Sequence, residues 1–294
     1  MKYVTRNGGA TVTVFVPYDC NNHCPFCINK AEYADMSNFN IKEIIRSIKI
    51  MDAMTPECDF VFTGGEPLAN LEMLQMMLDV IPNTHKVFIN TTLPTGKYSE
   101  DDIAKFLNIN YEQGKITGIN VSRHLRRYVQ ECSDEIFNKI KFQTRINCVL
   151  YKSFEPEEII QFVERFKKYT TYIQFRRDYV ITTPDNLYDT ENDVILKCLK
   201  NSFKYVGELG QYRMRCGYEF SYKNYKITYH KTLPYSKIKL DDDTYVLYDI
   251  IIKQTGEIRE DWDVCDSIDA RICNKIANKL DLNAYKIVTF ENYI

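Results

Sequence analysis

Thr11-Val12-Thr13-Val14-Phe15-Val16, followed closely by Cys20-Asn21-Asn22-His23-Cys24-Pro25-Phe26-Cys27, is the stretch from which the fold is read. The first six residues are strand-like, and the three thiols after them fold back in one tight loop, so their sulfurs can converge on a single inorganic centre. A closed [4Fe–4S] site takes four cysteine ligands. Three from one loop leave an iron with an open position, and an open position is where a metal site does chemistry. Two other readings compete. Structural zinc wants four tetrahedral ligands, usually as two pairs, and the chain holds no second C-x2-C pair. His23 as a fourth ligand would be cramped inside the same loop. A disulfide framework suits small secreted chains, whereas this chain is large and scatters its remaining cysteines singly.

At 294 residues the length sits at the upper edge of one domain, enough for an ample core. A formal net charge of -2 and a pI near 6.2 give no global basic field, which argues against broad capture of nucleic acid or anionic membrane by charge. A local basic patch stays open, and nucleic acid is not excluded as a partner. No apolar run of membrane-spanning length occurs, and Met1 to Asn7 show no hydrophobic signal core, so a cytoplasmic protein is expected, with no membrane partner. Of the ten cysteines, Cys58, Cys132, Cys148 and Cys198 fall singly on apparent strands or helices, where a free cysteine is a small buried hydrophobe.

The first two-thirds alternate β-branched or aromatic runs with amphipathic stretches, the pattern of βα units around a parallel sheet. Strands are predicted at Thr11–Val16, Asp59–Thr63, Lys86–Asn90, Thr117–Ser122, Thr144–Leu150 and Tyr172–Arg176. Helices are predicted at Ile41–Met54, Ala69–Val80, Asp101–Leu107, Asp134–Ile140 and Glu155–Lys168. Six such units are too few for an eight-stranded barrel and fit an α/β fold of partial barrel type. In barrels the functional groups sit where strands end. The second strand runs into Thr63-Gly64-Gly65-Glu66-Pro67, where two glycines let backbone approach a ligand and a carboxylate can receive an ammonium group. Read alone, that run serves equally as a turn. The third strand ends in Asn90-Thr91-Thr92 and the fourth in Asn120-Val121-Ser122-Arg123-His124, whose polar groups either hold a ribose or carboxylate or cap the next turn. His124 is a proton donor, a substrate contact or a structural residue. On the fifth strand, Arg145 and Asn147 share the face opposite Ile146. The charged end Arg176-Arg177-Asp178 either meets an anionic substrate at the mouth or forms solvated salt-bridge partners.

The cysteine spacing C-x3-C-x-aromatic-C, with Phe26 before the third cysteine, resembles the signature of radical S-adenosylmethionine (SAM) enzymes. The resemblance implies a partial (β/α)6 TIM barrel and a [4Fe–4S] cluster on Cys20, Cys24 and Cys27. It also implies SAM as cosubstrate, cleaved reductively to a 5′-deoxyadenosyl radical that abstracts a hydrogen atom from a substrate. Gly64-Gly65-Glu66 resembles the family's GGE motif, which holds the SAM amino group; Ser122 stands where members place a serine facing SAM, and Phe26 and Thr91 join the implied contacts. Arg145-x-Asn147 looks like the fifth strand of the cyclic pyranopterin-forming (molybdenum cofactor) type, where the basic residue pairs with the SAM carboxylate. The missing C-terminal cysteine cluster of that type counts against GTP. Substrate classes left open are a peptide, a nucleotide-derived small molecule and an RNA base, with an electron donor such as flavodoxin or ferredoxin.

The resemblance covers about residues 10–180 and fades beyond them, so the expected division is a core at 1–182 and an extension at 183–294 that covers the barrel mouth. Val194–Phe203 reads as a helix, Tyr218–Trp262 as strands, and Ser267–Leu280 as a final helix. Asp249–Ile258 reads as a hairpin turning at Thr255-Gly256, similar to SPASM or twitch extensions but without their auxiliary cluster. Cys216 precedes it, and Cys265 and Cys273 follow at a spacing that matches no ligand pattern. The rival reading, an iron–sulfur protein that only transfers electrons or senses redox state, leaves the residues at successive strand ends unused.

Overall fold

The computed structural model describes residues 2–6, 11–16, 20, 22, 24–27, 39–54, 58–128, 130–178, 181, 186, 189–209, 217–231, 237–239, 244–247, 249–259 and 285–288. After β1 (Lys2–Arg6), the six expected core strands form within a residue of each predicted end. They are β2 (Thr11–Val16), β3 (Asp59–Gly64), β4 (Lys86–Thr91), β5 (Gly118–Ser122), β6 (Thr144–Leu150) and β7 (Tyr172–Arg177). They pair in sequence order, all parallel, from Val14↔Phe62 on one side to Asn147↔Gln174 on the other. The helices between them are α1 (Ile41–Met54), α2 (Leu71–Leu78), α3 (Glu100–Glu112), α4 (Ile136–Lys139) and α5 (Pro156–Phe166).

Helix ends depart from the sequence reading where a polar side chain sets them. The Asn70 side chain accepts a hydrogen bond from the Met73 backbone N–H at 3.2 Å, so α2 starts at Leu71, and Pro67–Ala69 ahead of it is a separate 3-10 turn. Ser99 and Asp102 close a capping box that starts α3 at Glu100.

Alternation gives the sheet two unlike faces. Val12, Val14, Phe60, Phe62, Ile146 and Phe175 join Ile44, Leu74, Leu107 and Phe162 of the helices in one continuous core. The intervening positions, among them Thr63, Asn90, Asn120, Ser122, Arg145, Asn147 and Gln174, line the other face. A parallel sheet covered on both sides normally carries near-continuous apolar runs. Here the inner face mixes these polar groups with Phe15, Val61, Phe88 and Val149, a composition that suits a lumen kept for a ligand better than one filled as core.

The tail builds onto both edges of this sheet. After α6 (Val194–Ser202) come β8 (Lys204–Glu208), β9 (Gly217–Tyr222) and β10 (Tyr225–His230), and β10 pairs parallel with β7 through Gln174↔Thr228. Next are β11 (Lys237–Lys239), β12 (Thr244–Leu247) and the expected hairpin, β13 (Asp249–Ile252) with β14 (Ile258–Arg259). β13 pairs parallel with β2. The order is therefore β14-β13-β2-β3-β4-β5-β6-β7-β10-β9-β8 in one open eleven-stranded sheet. A second sheet, β11-β12-β1-β15, includes β15 (Tyr285–Val288). The hairpin turn docks on α1: Asn40 N–H donates to the Gln254 carbonyl at 2.9 Å, and the Ser47 hydroxyl donates to the Gly256 carbonyl. The expected helix at 267–280, His23, Cys216, Cys265 and Cys273 lie outside the described residues. Among the described residues no helix is long and apolar enough to cross a membrane.

Candidate metal centre

Cys20, Cys24 and Cys27 are unbridged and half-buried, just beyond the C-terminal end of β2. Cys27 N–H donates to the Cys24 carbonyl at 3.1 Å, closing a turn whose second residue, Pro25, has the fixed φ such turns favour. Asn22 ties the loop down at two points. Its Oδ1 accepts from Gln130 N–H at 2.8 Å, and its Nδ2 donates to Thr92 Oγ1 at 3.4 Å. Burial pushes the Cys20 thiol up; the Asn22 backbone pulls it down, and the nearby Glu66 and Cys27 add to the rise. Ligated iron reverses that balance by holding the sulfur as thiolate. Among the described residues no three Cys, His, Asp or Glu side chains stand close enough to hold one ion.

The β3 end is pressed against this loop. Gly64 has φ +119°, and a Cβ there would lie 2.3 Å from the Val16 carbonyl oxygen, so only glycine fits beside the strand that leads to the cysteines. Gly65 N–H donates to that same carbonyl at 2.8 Å. Glu66, 2% exposed, then folds inward. Its Oε1 accepts from Leu68 N–H at 3.1 Å and Thr91 Oγ1 at 2.5 Å; its Oε2 accepts from Thr92 N–H and Thr92 Oγ1, both at 2.7 Å. Burial raises its carboxyl above the ordinary range, and these donors pull it back. All the carboxylate's acceptor positions are thus used within the chain. Thr91 is buried, with its hydroxyl spent on Glu66, so it acts through Glu66 instead of facing the lumen.

Phe26 lies among His124, Tyr128 and Tyr151, with ring centroids 4.6, 5.5 and 5.5 Å away. These rings clamp the middle of the cysteine loop to the rims of β5 and β6. His124 Nδ1 accepts from Val149 N–H at 3.2 Å. Burial, helped by the Arg123 guanidinium, holds its imidazole down to about 3, so it is a neutral anchor at ordinary pH. Arg123 is itself buried, donating to the carbonyls of Thr92 (2.6 Å) and Ser122 (3.0 Å) and pairing with Glu131 at 3.5 Å. Sequence reasoning missed the roles of Asn22, Tyr128 and Tyr151, and named Thr92 only as a polar group at a strand end. Only Asn22, inside the motif and able to bond backbone two ways, carried a local signal.

Ser122 ends β5 on the lumen face, half-buried, and Arg145 stands there one pair deeper, opposite Asn120. Arg145 Nη1 donates to the Tyr172 hydroxyl at 2.9 Å, while its Nε is buried with no hydrogen-bond partner. No carboxylate pairs with it among the described residues. The β7 end corrects one expectation. Arg177 is half-buried, 3.9 Å from the buried Asp193 at the start of α6 and donating to the Ile181 carbonyl at 3.2 Å, and Asp178 is buried, so the cluster is less solvated than expected. Cys58, Cys132 and Cys148 are buried, as small hydrophobes should be, and Cys198 is half-buried.

Three thiols thus stand at the head of a parallel, open sheet of partial-barrel type. Residues 6–112 match the family model described as a 4Fe–4S single cluster domain. A GTP 3′,8-cyclase of Syntrophomonas wolfei is 25% identical over 167 residues, covering 53% of this chain and 51% of the relative. A radical SAM cyclopropyl synthase, TigE of Paramaledivibacter caminithermalis, is 26% identical over 147 residues, covering 44% of this chain and 31% of the relative. The chain thus spans about half the length, or less, of the curated relatives it matches. Among solved structures, SuiB of Streptococcus suis has a TM-score of 0.54 at 14% identity, covering 93% of this chain and 64% of that one. AnSMEcpe with bound AdoMet and Cp18Cys peptide has a TM-score of 0.54 at 16% identity, covering 93% and 81%. At these identities the structural likeness is one of fold. Residues 6–112 of this chain are thus similar to a 4Fe–4S single cluster domain, set in a fold shared with SuiB and anSMEcpe.

Proposed function

We propose that this chain is a radical SAM enzyme. The observation that carries the reading is the end of β2, which leads into the three-thiol loop, packed against Gly64 and Gly65, with Asn22 of that loop bonded to Thr92 beside Glu66. Cys20, Cys24 and Cys27 hold the cluster and leave its fourth iron for SAM. When bound and reduced, the cluster supplies the electron that cleaves SAM to methionine and a 5′-deoxyadenosyl radical, which takes a hydrogen atom from the substrate. Gly64 and Gly65 hold the end of β3 tight against Val16, which sets Glu66 beside the cysteine loop. Glu66, its acceptor positions filled, contributes negative charge near the SAM ammonium and fixes the loop, with Thr91 positioning it. Arg145, held by Tyr172 through Nη1 and with Nε unpartnered, supplies the positive charge for the SAM carboxylate. Ser122 and Phe26 border the nucleoside. Residues 183–294 shape the substrate side and cover the mouth, excluding water from the lumen. The substrate is a peptide, a nucleotide-derived small molecule or an RNA base, and the electron comes from a flavodoxin or ferredoxin.

The test is anaerobic reconstitution with iron and sulfide, then dithionite and SAM, with chromatography for 5′-deoxyadenosine. Equal amounts of 5′-deoxyadenosine and methionine are expected. None formed from an intact cluster would favour the electron-transfer or redox-sensing alternative.

A further inference from the structure

On the lumen face of β6, β7 and β10, Asn147, Gln174 and Thr228 stand in one row, register partners across two parallel pairs. Neighbouring strands lie about 4.8 Å apart, so the row spans roughly 10 Å. Gln174 and Thr228 are 8% and 3% exposed. Thr228 Oγ1 and Asn147 Oδ1 are both shut off from water and make no hydrogen bond. Buried polar atoms are nearly always paired, and an unpaired one weakens the fold. Two of them in one row, on the face where a ligand enters, mark a surface built for something that is not part of the chain. Asn147 adjoins Ser122 and the SAM side. Gln174 and Thr228 lead away from it. Beyond Thr228 the row ends at Glu219, which Lys226 engages at 2.8 Å, and Arg176 with His230 lies one layer nearer the mouth.

We propose that Gln174 and Thr228 form the substrate's polar subsite and that it takes an amide group. Such a –CO–NH– unit occurs in a peptide bond and in the lactam edge of a nucleobase. The inference rests on the radical SAM reading and adds a substrate class to it. The Gln174 carboxamide presents a carbonyl acceptor beside an N–H donor, the complement of an amide edge, and the Thr228 hydroxyl can donate or accept for the adjacent polar atom. Neither carries charge, so a phosphate or carboxylate gains no ion pair from them. Thr228 belongs to β10, so the tail supplies half of this subsite and with it part of the specificity.

The variants Thr228→Val and Gln174→Leu test this by thermal unfolding. An unpaired hydroxyl that exists for a ligand leaves the Thr228→Val protein without ligand as stable as wild type or more so. The cluster-loaded enzyme with SAM is then melted with N-acetylglycine methylamide in one arm and uridine in the other, each at about 10 mM, where a millimolar ligand visibly shifts the midpoint. One arm should raise the wild-type midpoint and fail to raise that of either variant; which arm does so distinguishes peptide from lactam. A lowered midpoint of Thr228→Val without ligand, no wild-type shift in either arm, or a shift retained by both variants would each overturn the subsite. In all of these cases wild-type 5′-deoxyadenosine formation continues. Its absence marks failure of the underlying reading instead.

Discussion

Glu66 gathers four hydrogen bonds onto one buried carboxylate, and through Thr91 and Thr92 it fastens the end of β3 to the end of β4. Thr92 also receives Asn22 from the cysteine loop. Removing one hydroxyl therefore leaves a buried charge short of a donor. Thr92→Val should lower unfolding stability by about 1–3 kcal/mol in urea titrations, and an unchanged midpoint would show that the carboxylate is satisfied without it. His124 makes a pH-dependent contribution. Its folded imidazole titrates near 3, against roughly 6.5 when unfolded. Between those values the unfolded chain binds the extra proton, so stability is full above about 6.5 and falls as pH drops towards 3, by at most about 1.4 kcal/mol per unit. In the metal-free protein, His124→Asn should flatten that part of the stability-against-pH curve. An unaltered slope would place the effect elsewhere.

At the scale of elements, the hairpin β13–β14 rests on α1 through a turn that only glycine can make. Gly256 has φ +85°, and a Cβ there would lie 2.3 Å from Glu43 Cβ. Gly256→Ala should therefore destabilise the protein by about 1–3 kcal/mol or more, read as an earlier thermal midpoint. The β-strands of the core were legible because each is a short β-branched run whose alternate residues face the helices. The start of α2 was not, since apolar spacing alone extends it back to Ala69 and only the Asn70 side chain stops it. The pairing of β10 with β7 and of β13 with β2 was illegible for a different reason. Nothing local in Tyr225–His230 or Asp249–Ile252 says which distant strand will accept it, and parallel partners are joined only through tertiary contact.

For the whole molecule, the cysteine loop and the Gly64-Gly65-Glu66 run announced the site, because their residue types and spacing sit within a few positions of each other. The clamp of Tyr128, Tyr151 and His124 on Phe26 comes from separate loops and needed the fold to assemble it. A single cluster on this loop, as proposed, can be tested with two variants. Cys24→Ala should abolish iron loading, whereas Cys273→Ala should retain close to the four irons of a single cubane; loss of roughly four irons in the second variant would reveal a second centre. The central claim is an iron left open for SAM by a loop of three thiolates. It is tested most directly by low-temperature electron paramagnetic resonance of the reconstituted, dithionite-reduced protein with and without SAM. A reduced four-iron signal whose g-values move when SAM is added is expected; a signal indifferent to SAM, or zinc in place of iron, would rule out the open iron.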